Sequence, residues 1–372
     1  MHRLLIDQSR APKEEEKMKL KLIIAVSGAL AILSMAGPVG AADVDFSGKT
    51  VRIIQNYGAG GSTDLFARTI APFIQKYLPG QPTVVVEPKP GAAGIQAGIY
   101  MHNSSSPDGM EICLCNSMPV RWVTVNDFDF DLRDFAIAGS QPVNTVVLIR
   151  DDLNVSKPTD LAHTPKPLLF SATSPASENA SRFAVFANIF GAKVNIIGGY
   201  QLAGNMVQSI TQGETNVTSL NSDYYAVQST AIAEAGTVGA FGQVGIPNGD
   251  RFDPESAIDA PTFDTMVREY APEVLGTPKY KLFSAFNQAA AAQMIYVLAP
   301  GTPQEYVTAW QDAIAKAVAD PEYAKAVETM QTGLRPFTGE AGTRKMLDAL
   351  YDGFKSPDVV EVLKEIAPVY FK

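Results

Sequence analysis

Short apolar runs alternate along the chain with longer stretches in which apolar residues return every third or fourth position. The run TVRIIQ (50–55) predicts a buried strand, and residues 64–77 predict a helix with Leu65, Phe66, Ile70, Phe73 and Ile74 on one face. Pro79 and Gly80 end that helix, and PTVVVEP (82–88) reads as a second strand closed by Pro88 and Pro90. GAAGIQAGIYMHNS (91–104) predicts a helix and MEICLCN (110–116) a third strand. Such alternation implies crossover units and a largely parallel sheet.

The register then changes. Two strand-like runs, 135–138 and 145–150, flank Gln141-Pro142, and a second alternating series follows. It consists of strands at PLLFSA (167–172), KVNII (193–197), TNVTSL (215–220) and TVGAFGQ (237–243), separated by helices over 178–190, 202–211 and 223–233. Residues 245–261, rich in Pro, Gly and Asp, have the composition of a return linker. One further strand, AQMIYVLAP (292–300), precedes a helical tail whose first helix starts near Pro303 and carries Ala309, Ile314, Ala315 and Val318 as a stripe. The pattern predicts an α/β protein of two lobes, each a sheet flanked by helices. Residues 43–141 and 255–372 form the first lobe, and residues 142–254 are inserted as the second, with a cleft between them.

The first 42 residues fall outside this pattern. Lys19 and Lys21 open an apolar run from Leu22 to Met35, and Gly37, Pro38, Gly40, Ala41 and Ala42 follow. Basic, apolar and small-residue segments in that order mark a cleaved secretory signal, and the run is shorter than a bilayer span. The polar stretch 1–17 ahead of it suggests that Met18 is the initiator. Export to the periplasm is therefore expected.

Composition narrows the function. Loss of the leader, with its six Lys/Arg and four Asp/Glu, takes the net charge from −9 to −11. That balance argues against nucleic acid and anionic membrane surfaces as partners. Cys113 and Cys115 are the only cysteines, and on one strand face they read as two buried apolar thiols too close in sequence for ordinary disulfide geometry. With His102 and His163 the only histidines beyond the leader, no metal-ligand spacing exists. The chain holds no G-x-S-x-G elbow, no H-E-x-x-H and no Cys–His pair, and the aspartates of NDFDFDLRDF (126–135) lack EF-hand spacing. Neither an enzyme, a metal nor a cofactor is expected.

The candidate chemistry lies in the turn YGAGGSTD (57–64), between the first strand and its helix. Loops at the carboxyl ends of strands form the ligand side of such sheets, and the unpaired first-turn amides of a helix attract anions. The dinucleotide pattern G-x-G-x-x-G is incomplete and no P-loop lysine follows, so a small anion suits the turn better than a nucleotide. Ser171, Thr173, Ser174 and Ser177 occupy the corresponding strand-to-helix position of the second lobe, and GGYQLAGNM (198–206) makes a third turn with Tyr200.

YGAGGSTDLFAR, PTVVVEPKPGAAGIQAG, PDGMEICLCN and LAPGTPQEYVTAWQDAIAKAVADPEYAKAV, together with Pro261-Thr262, stand in an order that resembles the Bug family. These are extracytoplasmic receptors of tripartite tricarboxylate transporters. The similarity covers nearly the whole chain beyond the leader. Family members usually show Pro-Phe-x-x-Gly-Gly-x-x-Asp in the first turn; here Asn56-Tyr57 replaces Pro-Phe, while Gly60, Gly61 and Asp64 match. Gly198-Gly199-Tyr200-Gln201-Leu202 stands where the family shows Val-Pro-Tyr-x-Gly, and Gly213-Glu214-Thr215-Asn216 where it shows Gly-x-x-Asp.

The resemblance implies a type II periplasmic binding protein of the Venus-flytrap kind, which captures a small carboxylate and delivers it to membrane transporter subunits. A di- or tricarboxylate or an aromatic carboxylate is the expected ligand, held by backbone amides and hydroxyls instead of cationic side chains. The expected contacts are Tyr57, Ala59, Gly60, Gly61, Ser62, Thr63, Asp64 and Ser117 from the first lobe, and Ser174, Ser177, Tyr200 and Asn221 from the second. Asp64 has the alternative role of orienting the turn. A hinge is expected near Gln141-Pro142 and in the linker 245–261. A receptor feeding a signalling partner and an exported hydrolase or transferase are the competing readings.

Overall fold

The computed structural model describes residues 44–124, 130–249, 251–329 and 334–367. The leader, and residues 126–129 of the acidic stretch, lie outside the described residues. The chain from Val44 onward forms one compact unit.

Its first sheet opens with β1 (Thr50–Gln55), which leads through the glycine turn into helix α1 (Ser62–Tyr77) and on to β2 (Thr83–Pro88). Helix α2 (Ile95–Asn103), β3 (Glu111–Asn116), the short helix α3 (Met118–Thr124) and β4 (Ala136–Gln141) follow. The chain then builds a second sheet. Strand β5 (Thr145–Arg150), β6 (Leu168–Ser171), α4 (Glu178–Ile189), β7 (Val194–Ile197), α5 (Ala203–Gln212), β8 (Val217–Asn221), α6 (Ser222–Ala235) and β9 (Val238–Gln243) make it up.

A small hairpin of β10 (Ile246–Asn248) and β11 (Arg251–Asp253) interrupts the expected linker, which is thus not wholly irregular. Helices α7 (Phe263–Tyr270) and α8 (Pro278–Gln288) lead to β12 (Met294–Leu298). After it come α9 (Gln304–Val318), α10 (Pro321–Thr329), β13 (Thr338–Gly339), α11 (Glu340–Lys355) and α12 (Pro357–Ile366).

The strand orders are β13-β4-β12-β3-β1-β2 and β7-β6-β8-β5-β9. The crossover pairs β1–β2, β1–β3, β6–β7 and β6–β8 are parallel, as alternation predicts. The largely parallel expectation needs one correction, because β12 runs antiparallel to β3 and β4, and β5 antiparallel to β8 and β9. The reason is directional. Strands that feed a crossover helix end at the boundary between the sheets, whereas β5 and β12 begin there. Met294 at the start of β12 pairs with Asn116 at the end of β3, and Thr145 at the start of β5 pairs with Asn221 at the end of β8.

Two passages join the sheets, and buried polar groups bind them side by side. Asn144 donates to Gln243 Oε1 and Glu255 Oε2, both at 2.8 Å, and its own oxygen accepts the Gly245 amide at 2.7 Å. Gln243 in turn donates to the carbonyl of Ala260 at 2.7 Å. Buried acceptors and donors without such partners would cost about 1–3 kcal/mol each.

The core is aliphatic around the first sheet, where Ile53, Ile70, Ile112, Leu114 and Ile314 are fully buried beside Trp310. Phe186 on α4 meets Phe263 of α7 at 4.6 Å between ring centroids and Phe283 of α8 at 6.1 Å, so these helices are anchored on the second sheet's helical layer. Phe286 continues the cluster to Phe354 on α11 at 4.9 Å.

Cys113 and Cys115 are bonded to each other, which overturns the expectation of two thiols. Both are fully buried on β3, and the strand brings their Cα atoms to 5.4 Å, inside the range a disulfide spans.

Candidate functional site

The carboxyl ends of β1, β3, β6 and β8 converge where the two sheets face each other, and a cavity of ≈ 90 Å³ lies between them. One ordered water needs about 10–15 Å³ on this measure, so the space suits a small organic molecule and not a nucleotide.

The first wall grows from the glycine turn. Asn56 is buried and holds the neighbouring loops: its amide donates to the carbonyls of Gly94 at 3.2 Å and Asn116 at 2.9 Å, and its oxygen accepts the Asn116 amide at 2.9 Å. Only glycine fits at 94, because a Cβ there would lie 2.7 Å from that same Asn56 nitrogen, at a φ of +96°. Gly60 adopts a φ of +79°, and its amide is taken by Asp64 Oδ2 at 3.0 Å. The Gly61 amide turns back to the carbonyl of Gly58 at 3.3 Å.

The first backbone bond along α1 runs from the Leu65 amide to the Gly61 carbonyl. Gly61 is the N-cap and offers no side chain to the turn. The amides of Ser62 and Thr63 therefore precede the helical ladder, and both residues line the cavity.

Asp64 is an organiser of the turn. Its carboxylate accepts from Gln55 Nε2 at 3.3 Å, the Gly60 amide at 3.0 Å and Arg68 Nε at 2.9 Å. Burial pushes its pKa up, but Arg68 and the hydrogen bonds from Gly60 and Gln55 bring it below the usual carboxylate value.

At the end of β3, Ser117 is held at a φ of +59°, a conformation that costs a non-glycine residue about 1–3 kcal/mol and is retained where the surroundings impose it. Its amide donates to the Gln293 carbonyl at 2.9 Å, and its hydroxyl to Asn116 Oδ1 at 3.0 Å. Asn116 Nδ2 completes the link by donating to Thr63 Oγ1 at 3.0 Å. The turn after β3 and the start of α1 are thereby fixed to each other.

The second wall comes from the ends of β6 and β8. Ser177 is the N-cap of α4, and Asn221 the N-cap of α6. Asn221 reaches across the cleft, donating to Ser62 Oγ at 3.3 Å. Glu178, in the first turn of α4, is 3 % exposed and pairs with Arg182, itself tied to the Phe286 carbonyl through Nε at 3.1 Å.

Of the expected contacts, Tyr57, Gly61, Ser62, Thr63, Ser117, Ser177 and Asn221 line one cavity. Ala59, Gly60, Asp64, Ser174 and Tyr200 do not. Gly60 and Asp64 bond to each other instead, and the Tyr200 hydroxyl donates to Glu214 at 2.8 Å and accepts from Ser209 at 3.1 Å. Gln201 and Leu202 present the wall where Tyr200 was expected.

One cation faces the cavity, contrary to the reading of the sequence. Arg121 on α3 is 4 % exposed, lines the cavity and donates from Nη2 to Ser174 Oγ at 3.1 Å, which gives Ser174 a supporting place behind it. Among the described residues Arg121 forms no ion pair. Its field reaches the Tyr57 phenol: burial pushes that group up, Arg121 pulls it back, Glu178 adds to the rise, and a bond with Ser117 lowers it. The signal that could have found Arg121 is a lone charge in the apolar run MPVRWV just past the ligand end of a strand.

No family model matches the chain. It is 36% identical over 115 residues to a UPF0065 protein from the gbd 5′ region of Cupriavidus necator, a match covering 28% of this chain and 34% of that protein. The chain thus spans about a third of the length of the curated relative it matches. The fold matches the periplasmic binding protein BugD with a TM-score of 0.60 at 18% identity, over 85% of this chain and 97% of that one. It also matches MatC from Rhodopseudomonas palustris with bound malate, TM-score 0.61 at 14% identity, over 82% of this chain and 99% of the other. These likenesses show the two-lobed periplasmic binding protein fold that the resemblance read from the sequence implied. The matched solved structures are solute-binding proteins, not enzymes. No helix among the described residues is long and apolar enough to cross a membrane.

Proposed function

We propose that this chain is an extracytoplasmic receptor that closes on a small carboxylate and delivers it to a tripartite tricarboxylate-type membrane transporter. The observation that carries the reading is the joint presence, on one small cavity between two sheets, of the free first-turn amides of Ser62 and Thr63 and the buried guanidinium of Arg121. A helix start and a guanidinium are complementary to a carboxylate in geometry and sign. The relatives support the class: MatC is seen with malate.

The lobes divide, in this reading, at 141/142 and 254/255, and the passages around Asn144 and Gln243 are the hinge. Residues 1–42 act as a leader removed on export to the periplasm, which N-terminal sequencing of protein recovered there would test. No reaction is assigned. The hydroxyls of Ser117 and Ser177 line the cavity without a histidine, since neither His102 nor His163 does.

Thermal shift of the purified protein against di- and tricarboxylates, aromatic acids and nucleotides tests the proposal. A bound acid at a hundred times its Kd adds about 2.7 kcal/mol to stability and raises Tm. A shift with nucleotides and none with any acid would refute it.

A further inference from the structure

Three acceptor-capable oxygens on residues that line the cavity lack a partner in the protein. They are Glu178 Oε2, Gln293 Oε1 and Ser171 Oγ, from residues that are 3 %, 1 % and 0 % exposed. Two of these atoms accept only. The carboxylate of Glu178 has its other oxygen committed to Arg182. The amide of Gln293 is oriented by its nitrogen, which donates to Asn116 Oδ1 at 3.2 Å and Ser117 Oγ at 3.3 Å. Asn116 Oδ1 must accept there, because its own nitrogen donates to Thr63, so Gln293 cannot turn its oxygen to the same place.

Orphaned buried acceptors are uncommon, and a carboxylate oxygen is the most costly of them to leave unmatched. A plain carboxylate ligand offers the Glu178 and Gln293 oxygens nothing, since it too only accepts. An ammonium group offers three N–H donors and the opposite charge to Glu178.

We infer that the ligand is an amino acid: its carboxylate is held by Arg121 and the start of α1, and its protonated amine is held by Glu178, Gln293 and Ser171. This deepens the carboxylate-receptor reading and rests on it. Glu178 is then the residue that selects the amine, and Arg182 the group that holds the Glu178 carboxylate in place.

Titration calorimetry on the full wild-type protein tests this with trios that differ at one carbon: succinate, malate and aspartate; glutarate, 2-hydroxyglutarate and glutamate; propionate, lactate and alanine. Within any trio that binds, the amino compound should bind about 10- to 100-fold tighter than the unsubstituted acid, the range for a hydrogen bond to a charged group. In Glu178→Gln, with folding checked by circular dichroism, the preference for amine over hydroxyl should fall to about threefold or less. Tighter binding of the unsubstituted or hydroxy acid would overturn the inference and leave the carboxylate reading standing. Retention of the full amine preference in Glu178→Gln would overturn the role of Glu178. Binding of none of the nine acids would overturn the inference, and the thermal-shift panel of tricarboxylates and aromatic acids would then decide the carboxylate reading separately.

Discussion

Arg335, on the segment leading into β13, forms a buried ion pair with Asp223 in the first turn of α6, and so joins the two sheets' layers across the cleft. Its guanidinium also donates to Ser222 Oγ at 3.3 Å and lies 5.3 Å from the Phe66 ring centroid on α1. With Asn221 on Ser62 and Arg121 on Ser174, these make four polar contacts that bridge the two sides of the cleft.

Asp223→Asn leaves Arg335 buried without its counter-charge, which costs about 3–5 kcal/mol where no relaxation occurs. Opening the cleft relieves that cost by hydrating the cation, so the penalty falls on the closed state. Ligand affinity should drop by at least about tenfold in calorimetry, and the radius of gyration of the unliganded protein should rise in small-angle scattering. An unchanged affinity would show that the pair does not bias closure.

Arg121→Met removes the one cation on the cavity wall while keeping its apolar stem. Truncating one member of a desolvated charge pair costs about 2–5 kcal/mol. Affinity for the cognate acid should fall by a factor of about 30 to several thousand, with the far-UV circular dichroism spectrum intact. Replacing Arg121 by Lys should recover only part of the loss, because the guanidinium's planar fork matches a carboxylate and a point charge does not.

Gly58→Val probes the closeness of the lobes. A Cβ at position 58 would meet Leu202 Cδ2 across the cleft at 3.4 Å, so a branched side chain exceeds the space available when closed. Binding should weaken strongly with little change in Tm. Gly60, in contrast, has nothing within 4 Å of an added Cβ. Its substitution strains the left-handed backbone, by about 1–2 kcal/mol, without filling the cavity.

Much of this arrangement was legible in the sequence. The glycine turn, the strand ends that carry Ser117 and Asn221, and the two-sheet division follow from local spacing, which hydrophobic periodicity encodes directly. Strand direction at β5 and β12 was not legible, because an apolar run has the same period in either orientation. Tyr200 was misread for another local reason. Its turn does reach the cavity, but its hydroxyl finds Glu214 and Ser209 first. Arg121 and Glu178 come from helices 57 residues apart, and only the folded chain brings them to one cavity. The disulfide escaped because it depends on a strand conformation that brings alternate Cα atoms to 5.4 Å.

Phe186→Ala should be the most damaging single truncation of the aromatic core that α4, α7 and α8 share. Phe to Ala in a packed interior costs about 3–5 kcal/mol. Denaturant titration should show the lower midpoint, and hydrogen exchange should place the loss of protection in α7 and α8.

Acid should weaken the turn through Asp64. Its folded-state pKa lies below the ordinary value of 3.8, so its contribution is fully present above that pH and is lost as pH falls through the folded value. Asp64→Asn should therefore be less stable than wild type at pH 7, and the gap should close below about pH 4. A gap that stays constant in Tm down to pH 2.5 would exclude an ionised Asp64 as the organiser of the turn.

The most direct measurement is a crystal structure with the cognate acid bound. The account predicts a carboxylate within hydrogen-bonding distance of the Ser62 and Thr63 amides and of Arg121, with Asp64 behind the turn and out of contact. A ligand seated elsewhere, or a carboxylate in the cleft that touches neither the α1 amides nor Arg121, would contradict it.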